Sequence, residues 1–229
     1  MNRKPALFTL TALFMLGAHA SIHAQDPEGH GPHPFEGSFV LEVERSIDGS
    51  VLAENSLKAQ AWFTKDQALV SITRKAKGDG SETLYDLKEG LRYTLVTEDG
   101  KKLAYRAQLD ENHGQAPENV NAPDVNLMTE KQVIREEPCV KVESKSNEGI
   151  WLGWMATSFE APFASLCRRI GIGEEARVAA IDGVHSFPMQ YTWTTADGKD
   201  VTTCTISKVN LGEVKEVEQA LIDRTIVDK

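Results

Sequence analysis

From Phe35 onward, apolar and polar side chains alternate in short blocks. Phe39, Leu41 and Val43 fall on one side of an extended chain, with Val40, Glu42 and Glu44 on the other. That period of two is the signature of a half-buried strand. Residues 57–64 repeat it, with Ala59, Ala61 and Phe63 on one face and Trp62 on the other, and residues 68–75 follow with Val70 and Ile72. Residues 82–87, 91–96 and 102–106 read the same way, parted by turn signals at Gly78-Asp79-Gly80, Glu89-Gly90 and Asp99-Gly100. Asp48-Gly49 and Asp197-Gly198 are hairpin pairs, because such residues tolerate the positive φ of a type I′ turn. Short strands at this spacing predict an antiparallel meander.

The pattern then changes. Residues 108–123 are polar with two prolines and predict a long loop, and residues 125–136 fit a strand or a helix equally well. Residues 138–144 and 150–155 read as a hairpin around Asn147-Glu148-Gly149. In residues 159–170, Phe159, Phe163, Leu166, Cys167 and Ile170 recur at spacings of three and four, one face of an amphipathic helix with Pro162 in its first turn. Residues 178–181 lead to a turn at Asp182-Gly183. Residues 189–195 and 201–209 pair about Asp197-Gly198, and residues 213–229 predict a C-terminal helix, at least over 214–222.

The start of the chain has another character. Arg3 and Lys4 precede an apolar run over 6–17, and Ala18-His19-Ala20 fits the small-x-small cleavage rule, with Ile22-His23-Ala24 a weaker second site. This is the pattern of a secretory signal peptide, expected to span residues 1–24, and the run is too short to cross a bilayer. Residues 25–34, rich in Gly and Pro, predict a flexible leader. Its His30 and His33 lack the fixed surroundings a metal site needs. Residues 35–229 are then expected to form one β-rich domain in the periplasm or the medium, with no transmembrane segment in the mature chain.

Charge narrows the partners. The 25 basic and 34 acidic residues give −9, and losing Arg3 and Lys4 takes this to −11. An acidic chain of this kind is not expected to bind nucleic acid or an anionic membrane. Three cysteines, Cys139, Cys167 and Cys204, allow one disulfide in an oxidising compartment, in any of three pairings, or three buried thiols. Their spacing suits no metal site.

No catalytic motif is present: no Gly-x-Ser-x-Gly, no phosphate loop and no His-Glu-x-x-His. A thiol nucleophile would need Cys167 or Cys204 beside His185, yet Cys167 lies on the apolar helix face. His113 sits in a polar loop. The acidic residues are scattered at turns and outward faces. No enzyme activity, cofactor or metal is therefore expected. Trp151, Trp154, Met155, Phe159, Phe163 and Leu166 concentrate large apolar area in a short stretch. They are either a sheet face covered by its helix or the lining of an apolar cleft.

Several blocks together resemble exported domains of unknown function grouped with the LolA/LolB-like lipoprotein carriers. They are Phe35-x-Gly37-x-Phe39-x-Leu41, Tyr85-Asp86-Leu87 with Tyr93-Thr94-Leu95, and Cys139-Val140-Lys141-Val142 with Ile150-Trp151-Leu152. Phe187-Pro188-Met189-Gln190-Tyr191 ahead of Asp197-Gly198 completes the set. The resemblance covers about residues 35–213. The long loop and the charged C-terminal segment depart from it. It implies an α+β, mainly β fold: a strongly bent antiparallel sheet, an open half-barrel, with one or two helices on its concave face. No ligand residue carries over from the carriers. The function expected is a non-enzymatic exported protein binding a lipid or acyl chain in that concavity. The rivals are a structural or protein-interaction component of the envelope with a filled core, and a hydrolase using scattered carboxylates, which requires a polar cleft with close acidic groups.

Overall fold

The computed structural model describes residues 35–78, 80–116, 124–182, 184 and 186–228. The expected signal peptide and leader, with His30 and His33, lie outside these residues, as do His185 and residues 117–123 of the long loop.

Alternation delivers strands nearly everywhere it was read. In chain order they are β1 (Gly37–Ile47), β2 (Ser50–Val51), β3 (Leu57–Phe63), β4 (Gln67–Arg74), β5 (Gly80–Asp86), β6 (Leu91–Glu98) and β7 (Lys101–Gln108). After the long loop come β8 (Asp124–Ile134), β9 (Glu137–Lys145) and β10 (Gly149–Glu160). Helix α1 (Phe163–Arg169) follows, then β11 (Ser186–Thr195), β12 (Asp200–Leu211), helix α2 (Lys215–Gln219) and β13 (Thr225–Asp228). All the strands join one sheet in the order β13-β7-β6-β5-β4-β3-β1-β12-β11-β10-β9-β8, with β2 paired to β1. Two meanders, β1–β7 and β8–β12, therefore meet at a β1–β12 seam that pairs Gly37 with Leu211 and Val43 with Cys204.

The sheet is bent and unclosed. Phe63 and Val70 share one apolar cluster with Cys139 and Val142. In a flat sheet, six strand spacings of ~4.8 Å would hold β4 and β9 about 29 Å apart. Bulges between Val40 and Leu41 on β1, and between Trp154 and Met155 on β10, help the turn. Among the described residues, β8 forms one free edge. β13 covers the other by lying parallel to β7, from Thr225 against Leu103 to Asp228 against Arg106.

Helix α1 fills the concave face. Phe163, Ala164, Leu166 and Cys167 are all buried. Gly171, at φ 72°, ends it in the left-handed conformation glycine adopts without cost, and the amide of Ile172 reaches back to the Cys167 carbonyl. The chain that follows seals what the helix leaves, with Ile170, Ile172, Ala176, Val178 and Ile181 buried in the same cluster. Arg168 grips Asp182 through two hydrogen bonds, and the Ser144 hydroxyl donates to the Ala180 carbonyl.

Two expectations need correction, and one open reading is settled. The helix predicted over 159–170 begins only at Phe163, because proline disfavours a helical residue before it, and Phe159 stays on β10. The predicted C-terminal helix stops at Gln219: Asp223 turns the chain at φ 61°, and β-branched Thr225-Ile226-Val227 forms β13. The ambiguous 125–136 segment is strand β8, ended by Arg135 and Glu136 at φ 50° and 69°. Helix α2 does not share the concavity with α1. Its Val217, with Val214 and Ala220, covers Leu69, Leu84, Tyr93 and Leu95 on the opposite face of the first meander.

Candidate functional site

The six residues picked from the sequence sit in the concavity or at its border. Trp151 and Met155 on β10, and Phe163 and Leu166 on α1, are each at most 1% exposed. The Trp151 indole lies 5.1 Å from the Tyr191 ring. It also folds back over Gly153, where a Cβ would stand 2.1 Å from the indole, so the glycine at this position makes room for that ring. Phe163 meets Phe39 at 5.9 Å, Phe187 at 5.3 Å and Tyr191 at 5.9 Å. Phe159, half-buried at the end of β10, reaches Phe187 at 5.2 Å. Trp154, half-buried on an alternate position of β10, lies under the Lys141 ammonium at 5.9 Å. Four of the six thus join the core that holds Phe187 and Tyr191, and Phe159 and Trp154 pack against it. Such ring pairs each add roughly 0.5–1.5 kcal/mol beyond their area. Phe187 and Tyr191 are the hubs of this core, and the alternation of residues 187–193 was the signal that could have found them.

The rim of this core is held by polar contacts the sequence did not reveal. Arg169 turns its guanidinium onto the Phe63 ring at 5.5 Å and donates to the carbonyls of Thr64, Lys65 and Gln67, tying α1 to the β3–β4 turn. Burial lowers its pKa from the ordinary arginine value. The Arg169 carbonyl in turn accepts from His113 Nε2 at 2.9 Å, and the His113 ring stacks on Tyr85 at 4.7 Å. At the far end, Asp200 takes a bidentate contact from Arg45 and a third bond from Arg177, whose guanidinium lies 4.8 Å over Trp193. The Arg45 hydrogen bond holds the Asp200 carboxyl below its ordinary pKa.

The three cysteines are free thiols in this structure and all are buried. Cys139, on β9, donates to the Glu137 carbonyl. Cys204 stands opposite Tyr191 in the β11–β12 register. Burial pushes Cys204 up to about 12 and raises Cys167 well above the thiol value, with Cys204 the second cause for Cys167.

Two open clefts lie away from these residues. One cleft of about 300 Å³ is bounded by Glu36, Asp66, Glu213 and Glu218, with Lys65 and Phe63. A second, of about 400 Å³, lies among Glu89, Arg106, Gln108 and Asp228. Neither is bounded by any of the six residues. The four carboxylates of the first make no ion pair among the described residues, and no group of three or more His, Cys, Asp or Glu there could hold a metal ion. No described helix is long and apolar enough to cross a membrane.

No protein-family model matches the chain, and no curated protein sequence matches it. Among solved structures, it is similar to an uncharacterized conserved protein from Thermus thermophilus, at TM-score 0.44 and 9% identity over 85% of this chain and 91% of that one. MucB is another neighbour, at 0.39 and 9% over 80% of this chain, which spans 56% of MucB. A LolA superfamily protein from Nitrosomonas europaea scores 0.32 at 12% identity, over 80% of this chain and 89% of that one.

Proposed function

We propose that this protein is exported and non-enzymatic, and that it works through surface contacts with another protein of the envelope while its own chain fills its concavity. One observation carries the reading: the space an acyl chain would need is taken by α1 and residues 170–181, with Phe163, Cys167, Ile170, Ile172 and Ile181 at most 1% exposed. An apolar ligand would have to displace this packing, and emptying such a core of one large side chain alone costs about 3–5 kcal/mol. The first 24 residues support export. The free edge of β8 supports a surface role, because unpaired strand groups accept a partner's backbone.

A second reading keeps the apolar ligand but moves it to the β8 end. There Val125 and Leu127 pair with core-facing Ser144 and Val142, yet are 38% and 50% exposed. An acyl chain laid along them would rest on the outer fringe of the concave face.

Native mass spectrometry and solvent extraction of the full chain, gently purified from cells, separate the two. The filled-core reading expects the bare chain mass, no extracted lipid and no saturable uptake of a fluorescent fatty acid. One bound lipid per chain overturns it and favours the second reading, in which V125D with L127D abolishes that lipid.

A further inference from the structure

A sheet can grow only at its edges, and this molecule treats its edge strands unequally. On one side β13 lies along β7 and takes up the backbone from Leu103 to Arg106. On the other, a bulge divides β8: the four steps from Leu127 to Lys131 pass only two of β9, from Val142 to Val140. Beyond the bulge, Lys131 stands on the concave side, opposite Val140, which in turn faces buried Met155. A bulge and an inward-pointing lysine both hinder a strand edge from pairing with another chain. Neither device protects residues 124–127.

That short segment has a definite chemistry. It pairs in unbroken register with residues 145–142 of β9, and no described strand lies on its outer side. Val125 and Leu127 share the concave face with Ser144 and Val142 and are 38% and 50% exposed. Asp124 and Asn126 take the other face, both exposed. Lys145, opposite Asp124, is held by Glu143 at 2.8 Å, and among the described residues Asp124 makes no ion pair. The bare edge therefore offers unpaired backbone groups, two apolar side chains on one face and an uncompensated carboxylate on the other.

We propose that residues 124–127 take up an extended segment of the partner protein as a further antiparallel strand, with apolar residues opposite Leu127 and Val125 and a basic residue opposite Asp124. The inference rests on the surface-contact reading given above and narrows it to one segment and one partner chemistry. Backbone pairing supplies the attraction, and the alternation supplies the register. Along the partner the motif runs apolar, polar, apolar, basic. A slip of one residue would turn its apolar pair to the side of Asp124 and Asn126. A second copy of this chain does not meet these terms. Directly opposed residues share a face and faces alternate, so a two-fold β8–β8 pairing sets Asp124 opposite an even-numbered residue of β8. Those residues are Asp124, Asn126, Met128, Glu130, Gln132 and Ile134, none of them basic. The formal charge of −9 also makes two copies repel and attracts a basic segment.

The test adds synthetic peptides about six residues long, the ordinary length of a strand, to the full chain purified from cells. One peptide alternates valine with threonine and carries lysine at the basic position. A second has glutamate there, and a third is the lysine peptide with N-methylated backbone amides. The lysine peptide is expected to bind saturably and to slow amide exchange in residues 124–127. The glutamate peptide should bind about fivefold more weakly, the scale of one exposed ion pair, and the N-methylated peptide should not bind. D124K should invert the preference between lysine and glutamate, and V125K with L127K should abolish binding while thermal unfolding stays unchanged. Protection outside residues 124–127, equal binding of the N-methylated peptide, an unchanged preference in D124K, or no saturable binding of the lysine peptide overturns the inference. So does a dimer of the chain that V125K with L127K dissolves, which makes a second copy the occupant. Lipid on a chain that still takes the lysine peptide overturns the filled core and leaves the edge standing. A bare chain that takes no peptide overturns the edge and leaves the filled core standing.

Discussion

At the scale of single residues, Asp200 shows how one carboxylate orders a corner of the molecule. It receives Arg45 and Arg177 together, and Arg177 in turn lies over Trp193. Its pKa is lowered in the folded state, chiefly by the Arg45 hydrogen bond. A lowered pKa means stabilisation that is complete above the unfolded value of about 3.9 and lost as pH falls through the folded value. D200N is therefore expected to be less stable than wild type by about 1 kcal/mol at pH 7, the scale of a partly exposed pair. The gap should hold down to about pH 4 and close below it. Urea unfolding at several pH values reads this directly, and a gap that persists at pH 2 contradicts the assignment. None of this was legible in the sequence, because Arg45 and Asp200 lie far apart in the chain and only the β1–β12 seam brings them onto facing strands, two register positions apart. Trp151 and Phe163 were legible as large apolar residues, but their burial depended on neighbours that sequence spacing does not name.

Among the elements, the strands were read nearly complete because each carries its own signal, a period of two ended by a turn residue. Helices were read poorly for the opposite reason. The three-and-four spacing of Phe159, Phe163 and Leu166 is real, but Pro162 cuts the helix and leaves Phe159 in β10. At the C-terminus, Val214, Val217, Ala220 and Leu221 suggest a long helix, yet its apolar face needs only the short turn of chain that covers the outer side of the first meander. The role of α2 as a cover leads to a prediction. V217D, at a position 2% exposed, should lower stability by about 2–4 kcal/mol by placing a charge against Leu69 and Leu84. K215A, on the exposed side of the same helix, should change it by less than about 0.5 kcal/mol. Equal effects of the two in chemical denaturation would mean that α2 does not pack as described.

For the whole molecule, protection should be graded from seam to edges. β1 and β12 are paired on both sides at the centre of the order, whereas β8 has one neighbour and β13 is a four-residue strand with Ile226 nearly half exposed. Amide hydrogen exchange should be slowest in β1, β11 and β12 and fastest in β8 and β13, by orders of magnitude. Uniform protection across the sheet would contradict an open half-barrel. The bend was expected from the family resemblance. Periodicity alone specifies strands and leaves their curvature open.

The seam also sets an order of events. Among the described strands β1 is the first to be made and β12 nearly the last, so the middle of the sheet waits for two distant stretches of chain. While the second half is still being made, the edge of β1 that β12 will take has no backbone to bond with, and Phe39, Leu41 and Val43 have no α1 above them. Closure is therefore a late, long-range event that a protein of mostly local pairings would otherwise avoid. Any chaperone that prevents premature clumping has its natural target in that waiting strand.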